Sequence, residues 1–73
     1  MPTTHTFRVD GMHCASCSML IDETLEDLPG VATSHTSVKN ARTTVELDTT
    51  ATTTEQVTAA ITELGYQAEL LAP

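Results

Sequence analysis

Cations are what this chain lacks most: three basic residues stand against ten acidic ones, a formal charge of -7 over 73 residues. That shortage excludes nucleic acid as a partner, because binding there rests on Lys and Arg neutralising phosphates. An anionic membrane surface repels such a chain for the same reason. No apolar run approaches the roughly 20 residues needed to span a bilayer, so direct membrane insertion is not expected. The opening Met1-Pro2-Thr3-Thr4-His5-Thr6 lacks the basic start and apolar stretch of a secretory signal, and a cytoplasmic location is the expectation. Cysteine is scarce too, with only Cys14 and Cys17. In a reducing compartment two cysteines read as metal-binding or redox residues, not as a structural staple.

What is present suits one small domain spanning residues 1–73, with no internal repeat or linker. The apolar residues available for a core are Phe7, Val9, Met12, Ile21, Leu25, Leu28, Val31, Val38, Val45, Leu47, Val57, Ile61, Leu64 and Leu70. Each contributes about 1.5 to 3 kcal/mol when fully buried, against an ordering cost of similar total size. The core is real but marginal.

The hydrophobic period changes along the chain in a readable order. Thr4 to Asp10 alternates, with His5, Phe7 and Val9 on one face, which predicts a half-buried strand. From Ala15 to Leu28, Cys17, Ile21, Leu25 and Leu28 recur at helical spacing, with Asp22, Glu23, Glu26 and Asp27 forming an acidic outer surface. Pro29-Gly30 stops that helix. Val31 to Lys39 is expected to be an edge strand, because its face of Ser34, Thr36 and Val38 is too polar for the middle of a sheet. A hairpin turn follows at Lys39-Asn40-Ala41-Arg42, with Asn40 as the residue tolerant of left-handed backbone. Thr43 to Asp48 alternates again as its partner strand. Thr53 with Gln56 three residues on is a capping box, and it opens a second helix buried through Val57, Ala60, Ile61 and Leu64 and closed by Gly65. Gln67 to Leu71, with Ala68 and Leu70 on one face, makes a fourth strand. The order strand, helix, strand, strand, helix, strand is that of an α+β ferredoxin-like βαββαβ sandwich, a four-stranded antiparallel sheet with two helices on one face.

The chemistry concentrates in Gly11-Met12-His13-Cys14-Ala15-Ser16-Cys17, where a strand gives way to a helix. Unpaired amide donors at a helix start favour negative charge nearby, and thiols there have lowered pKa values and act as thiolates. Two thiolates this close grip a soft metal, Cu(I) first of all. A structural zinc site wants four protein ligands and an iron–sulfur cluster four cysteines; two cysteines leave coordination positions open. A partner's thiolate then binds before the donor's leaves, which suits a site that passes metal on. A dithiol redox couple and a pair of inert core cysteines are the competing readings. No tryptophan precedes the first cysteine and no proline separates the two, unlike thioredoxin.

Gly11-Met12-x-Cys14-x-x-Cys17, then Ile21, then Leu28-Pro29-Gly30-Val31 and finally Leu64-Gly65-Tyr66 resemble, in order and spacing, the heavy-metal-associated domains of bacterial copper chaperones and copper-transporting ATPases. The resemblance covers nearly the whole chain. It implies the same fold with the first and third strands central, Cys14 and Cys17 as the metal ligands, Cu(I) as the metal and a copper-transporting P-type ATPase as partner. It also implies a carrier, not an enzyme, and the residues show no nucleophile and base arrangement, phosphate loop or paired-acid pocket. A homodimer bridged by the metal, a detached ATPase domain, and Hg or Zn as cargo remain open, although no acidic residue stands immediately before Cys14 to favour zinc. A thiol–disulfide oxidoreductase is the alternative of another class.

The remaining residues near the loop each carry two readings. Met12 is an apolar filler beneath the loop or a thioether ligand, and in the family it supports the loop. His13 is a solvated neighbour of Cys14 or a third ligand. Tyr66 is a core aromatic or, as the resemblance implies for bacterial members, a shield over the metal. Met19 and Leu20 fall off the buried stripe and are either stray apolar residues or part of a docking patch. His5 and His35 are read as strand residues with no role.

Overall fold

The computed structural model describes residues 2–12 and 15–73 less the last, that is, all but Met1, His13, Cys14 and Pro73, with the side chains of Ala15 and Ala72 also outside the description. Six elements follow in the expected order: β1 (Thr3–Asp10), α1 (Ala15–Glu26), β2 (Val31–Ser37), β3 (Arg42–Leu47), α2 (Thr54–Glu63) and β4 (Gln67–Ala72). The sheet runs β2-β3-β1-β4, so β1 and β3 are central and β2 and β4 are edges. All three pairings are antiparallel.

Alternation decides which side chains meet the helices. Phe7 and Val9 from β1 and Val45 and Leu47 from β3 are fully buried with Ile21 and Leu25 of α1 and Val57 and Ile61 of α2. Met12, Leu28, Val31, Leu64 and Tyr66 are partly buried and pack against that cluster. Burying eight large apolar side chains at about 1.5 to 3 kcal/mol each is what draws two short helices onto one face of the sheet. His5 also lies on the inner face of β1, 7% exposed, with its Nε2 2.7 Å from the Thr3 hydroxyl.

The polar face of β2 has a cause that the sequence does not advertise. Asp22, expected on the acidic outer surface of α1, is half-buried against β2. Its Oδ1 accepts from the Ser34 hydroxyl at 2.8 Å and from the Thr36 hydroxyl at 2.6 Å, and its Oδ2 from the Thr36 amide at 3.3 Å. Thr36 in turn lies 3.0 Å from the hydroxyl of fully buried Thr43. Polar residues therefore occupy these inward positions because a carboxylate from the helix satisfies them.

Three local expectations are corrected. The first helix ends at Glu26 and not Leu28, since the Leu28 amide turns back to the Leu25 carbonyl at 3.0 Å in a tighter closing turn. In the β2–β3 connection the left-handed residue is Ala41, with φ 54°, and not Asn40. Two hydrogen bonds hold Ala41 there: its amide donates to Val38 at 3.2 Å and its carbonyl accepts from the Val9 amide at 2.9 Å, so tertiary contacts override the local preference. Leu70, counted with the core, is 41% exposed; it sits on the edge strand β4 beside a register shift between Thr6 and Phe7.

The connections are tightly made. Gly30, with φ +88°, stops the turn after α1, and a Cβ added there would lie 2.7 Å from the Ala51 Cβ, a separation that only glycine avoids. Asp48 accepts from the hydroxyl and the amide of Thr50, which holds its carboxyl below the usual carboxylate range. Thr53 and Gln56 form the capping box reciprocally at the start of α2. Leu64 caps the helix end and the Gly65 amide donates to Thr62 at 3.0 Å.

Replacing Asp22 by Ala leaves the Thr36 amide and two hydroxyls to find new partners, and is expected to cost about 1 to 3 kcal/mol of stability. Urea unfolding of Asp22→Ala against the parent chain measures it; an unchanged midpoint would show that the network contributes nothing.

Candidate metal centre

Three connections meet at one end of the sheet because β1 points its C-terminus there. Gly11 leaves β1 with φ +103°, and a Cβ placed on it would come within 3.4 Å of Cδ1 of Tyr66, which follows α2. The bond from Val9 to Ala41 brings the β2–β3 turn to the same end. Loop, turn and the Gly65-Tyr66 connection thus surround the start of α1.

Cys17 lies in the first turn of α1, half-buried at the head of the stripe that continues through fully buried Ile21 and Leu25. That placement matches the helical spacing read from the sequence. No acidic residue occupies the first turn of α1, so the positive end of the helix dipole is not offset there by a carboxylate of the helix itself. Cys14 and His13, the other donor and the third-ligand candidate, lie outside the described residues. Among the described residues no three His, Cys, Asp or Glu side chains come together as a metal-holding group. Met12 is half-buried and packs on the core, which agrees with its reading as support beneath the loop. Tyr66 is half-buried and packed on the same core, as its core reading expects, with its ring beside Gly11.

The remaining candidates fall elsewhere or on the surface. Met19 is 70% and Leu20 45% exposed on α1, one turn or less beyond Cys17. His35 is exposed on β2, and His5 is buried toward the opposite end of β1 from the loop. A groove of about 320 Å³ runs between the end of α1 and α2, lined by residues such as Leu28, Thr52, Gln56 and Ala60, and none of its lining residues belongs to the cysteine segment. No helix among the described residues is long and apolar enough to cross a membrane.

The profile of the heavy-metal-associated domain matches residues 6–67. The chain belongs to that family. Like this heavy-metal-associated domain, part of copper-transporting ATPase 1 of Mus musculus is similar in sequence, 36% identical over 62 residues; the match covers 85% of this chain but only 4% of the ATPase. Copper chaperone CopZ of Staphylococcus saprophyticus is 33% identical over 63 residues, which cover 86% of this chain and 93% of that protein. Among solved structures, the N-terminal domain of a potential copper-translocating P-type ATPase from Bacillus subtilis, in the Cu(I)-loaded state, superimposes with a TM-score of 0.94 at 28% identity, over 99% of this chain and 90% of that one. The ferredoxin-like sandwich inferred from element order is therefore the fold, and the heavy-metal-associated family is the family.

The backbone at Gly11 adopts an angle that side-chain-bearing residues rarely reach, and its missing Cβ faces the Tyr66 ring. Gly11→Ala is expected to destabilise the domain by about 1 to 3 kcal/mol through backbone strain. Thermal unfolding of the variant tests this, and a melting temperature equal to the parent's would refute it.

Proposed function

We propose that this heavy-metal-associated domain, taken as one unit over residues 1–73, is a cytoplasmic Cu(I) carrier that exchanges copper with a copper-transporting P-type ATPase through Cys14 and Cys17. The observation that carries this reading is Cys17, half-buried in the first turn of α1 in a chain of this family, with Cys14 three positions earlier in the sequence. Two thiolates satisfy Cu(I), a soft ion content with few ligands, and leave it open to attack by a partner's thiolate. Copper remains Cu(I) in the exchange. The acceptor's thiols each lose a proton as they bind, the donor's sulfurs each take one up as they release, and no electron moves. In this reading the chain's own residues only bind and present the ion, so the proposed activity is carriage and not catalysis.

The similarity to one segment of a much longer ATPase supports a second reading, in which the same domain works as a metal-binding part of such a transporter. Both readings use the same sulfurs and the same exchange step. They differ in what the domain is joined to.

A competition titration against a chromogenic Cu(I) chelator is the direct test. The reduced protein is expected to hold one copper per chain, and Cys14→Ser or Cys17→Ser each to weaken binding by at least about 100-fold, beyond the loss typical of changes around the ligands. Failure to retain copper, together with fast disulfide exchange, would replace the carrier with a thiol–disulfide oxidoreductase.

A further inference from the structure

The three cations of this acidic chain are gathered in one place. Arg8 on β1 is the direct cross-strand partner of Arg42 on β3, and Lys39 lies in the turn that leads into β3. Because Phe7 and Thr43 beside them point into the core, Arg8 and Arg42 share the outer face of the sheet, the one without helices. They stand at the end of the sheet that carries the Gly11 loop. Arg8 is compensated, with Asp10 at 3.3 Å and Glu69 opposite it on β4. Lys39 and Arg42 have no acidic partner among the described residues; Arg42 spends its Nη1 on the Asn40 and Ala41 carbonyls instead. Like charges directly opposite one another on a sheet are unfavourable, so the arrangement works against the fold it sits in.

The helices present the opposite charge. Glu23 and Glu26 are exposed on α1, Asp27 just beyond its end, and Glu55 and Glu63 on α2, with no basic residue on either helix. Two copies of a chain with a charge of -7 repel one another in most orientations. The approach that escapes this sets the Lys39–Arg42 corner of one copy against the acidic face of α1 on the other. Since that corner lies at the end of the sheet where β1 gives way to Gly11 and α1 begins, and Glu23 lies about 9 Å along α1 from Cys17 at 1.5 Å per residue, the favoured approach also brings Cys17 of each copy toward that of the other.

We infer that the Lys39–Arg42 corner is a docking element for the acidic α1 face of a second copy, orienting two chains so that copper passes between their thiols. This rests on the reading of Cys14 and Cys17 as copper ligands. A two-fold pair makes each charge contact twice, so small local attractions are doubled at the encounter.

Copper self-exchange reads this out. Unlabelled protein loaded with one stable copper isotope is mixed with a mass-labelled copy loaded with the other, and native mass spectrometry follows the scrambling. K39E, at an exposed turn position, and K39E/R42E are both used, with circular dichroism confirming the fold, so that the single variant stands in if the double one unfolds. Copper content should stay at one per chain while exchange slows by about tenfold or more, the lower end of what electrostatic steering supplies. Pairing the charge-reversed donor with an E23K/E26K acceptor should restore the rate. Parent-like exchange in both Lys39 variants, with copper still bound, would overturn the docking element and leave the carrier reading intact. Loss of copper from the parent protein itself would remove the carrier reading and this inference with it.

Discussion

The position of β1 in the middle of the sheet is the constraint on which the rest depends. Bonded on one side to β3 and on the other to β4, it cannot tilt or slip without breaking both ladders, and a slip of one residue would turn Phe7 and Val9 outward. Its C-terminal end therefore delivers Gly11 to a fixed point. Around that point the β2–β3 turn is tied by the Val9–Ala41 bond, and Tyr66 is set against Gly11 by the close of α2. Gly11 and the first turn of α1 with Cys17 thus adjoin elements that are themselves over-determined.

The same economy appears in how α1 is held. Along its inner stripe Ile21 and Leu25 bury apolar surface in the usual way, but on the flank facing β2 the contact is a carboxylate among hydroxyls. A hydrogen bond to a charged group contributes more than a neutral one, and it is directional where apolar packing is not. Asp22 thereby fixes the rotation of the helix about its own axis, in a domain whose core is too small to do so by packing alone.

Most of the fold was legible because most of it follows from periodicity. Alternation in Phe7-Arg8-Val9 and Thr43-Thr44-Val45-Glu46-Leu47 marks strands with one wet face, and the spacing of Ile21 and Leu25 or Val57 and Ile61 marks helices. The capping box at Thr53 and Gln56 was readable as local chemistry, and the structure contains it. The misses share a different origin. Asp22 looks like any solvent-facing acid until β2 is folded against it, Ala41 takes its backbone angle with a bond from Val9, 32 positions earlier, and Leu70, opposite buried Phe7, is left half open because β4 is an edge strand. Each depends on contacts far apart in sequence, which no local pattern records. For the candidate metal centre, the spacing of the two cysteines and the glycine before them carried the signal, and the partial burial of Cys17 could be anticipated from its place on the stripe. That the lone cations would cluster could not, since Arg8 and Arg42 are brought side by side only by the register of β1 with β3.

The bond from the Thr36 amide to Asp22 has a bearing on how the molecule lives at high concentration. An outermost strand ordinarily offers a row of donors and acceptors to any extended peptide that drifts past, and this is how native sheets seed stacked, fibrillar assemblies. With one of its amides already occupied by a charged oxygen from above, β2 makes a poor template. The burden of keeping sheets from growing end to end then rests on the opposite margin, where β4 shows Leu70 and Leu71 to water with Glu69 as their gatekeeper.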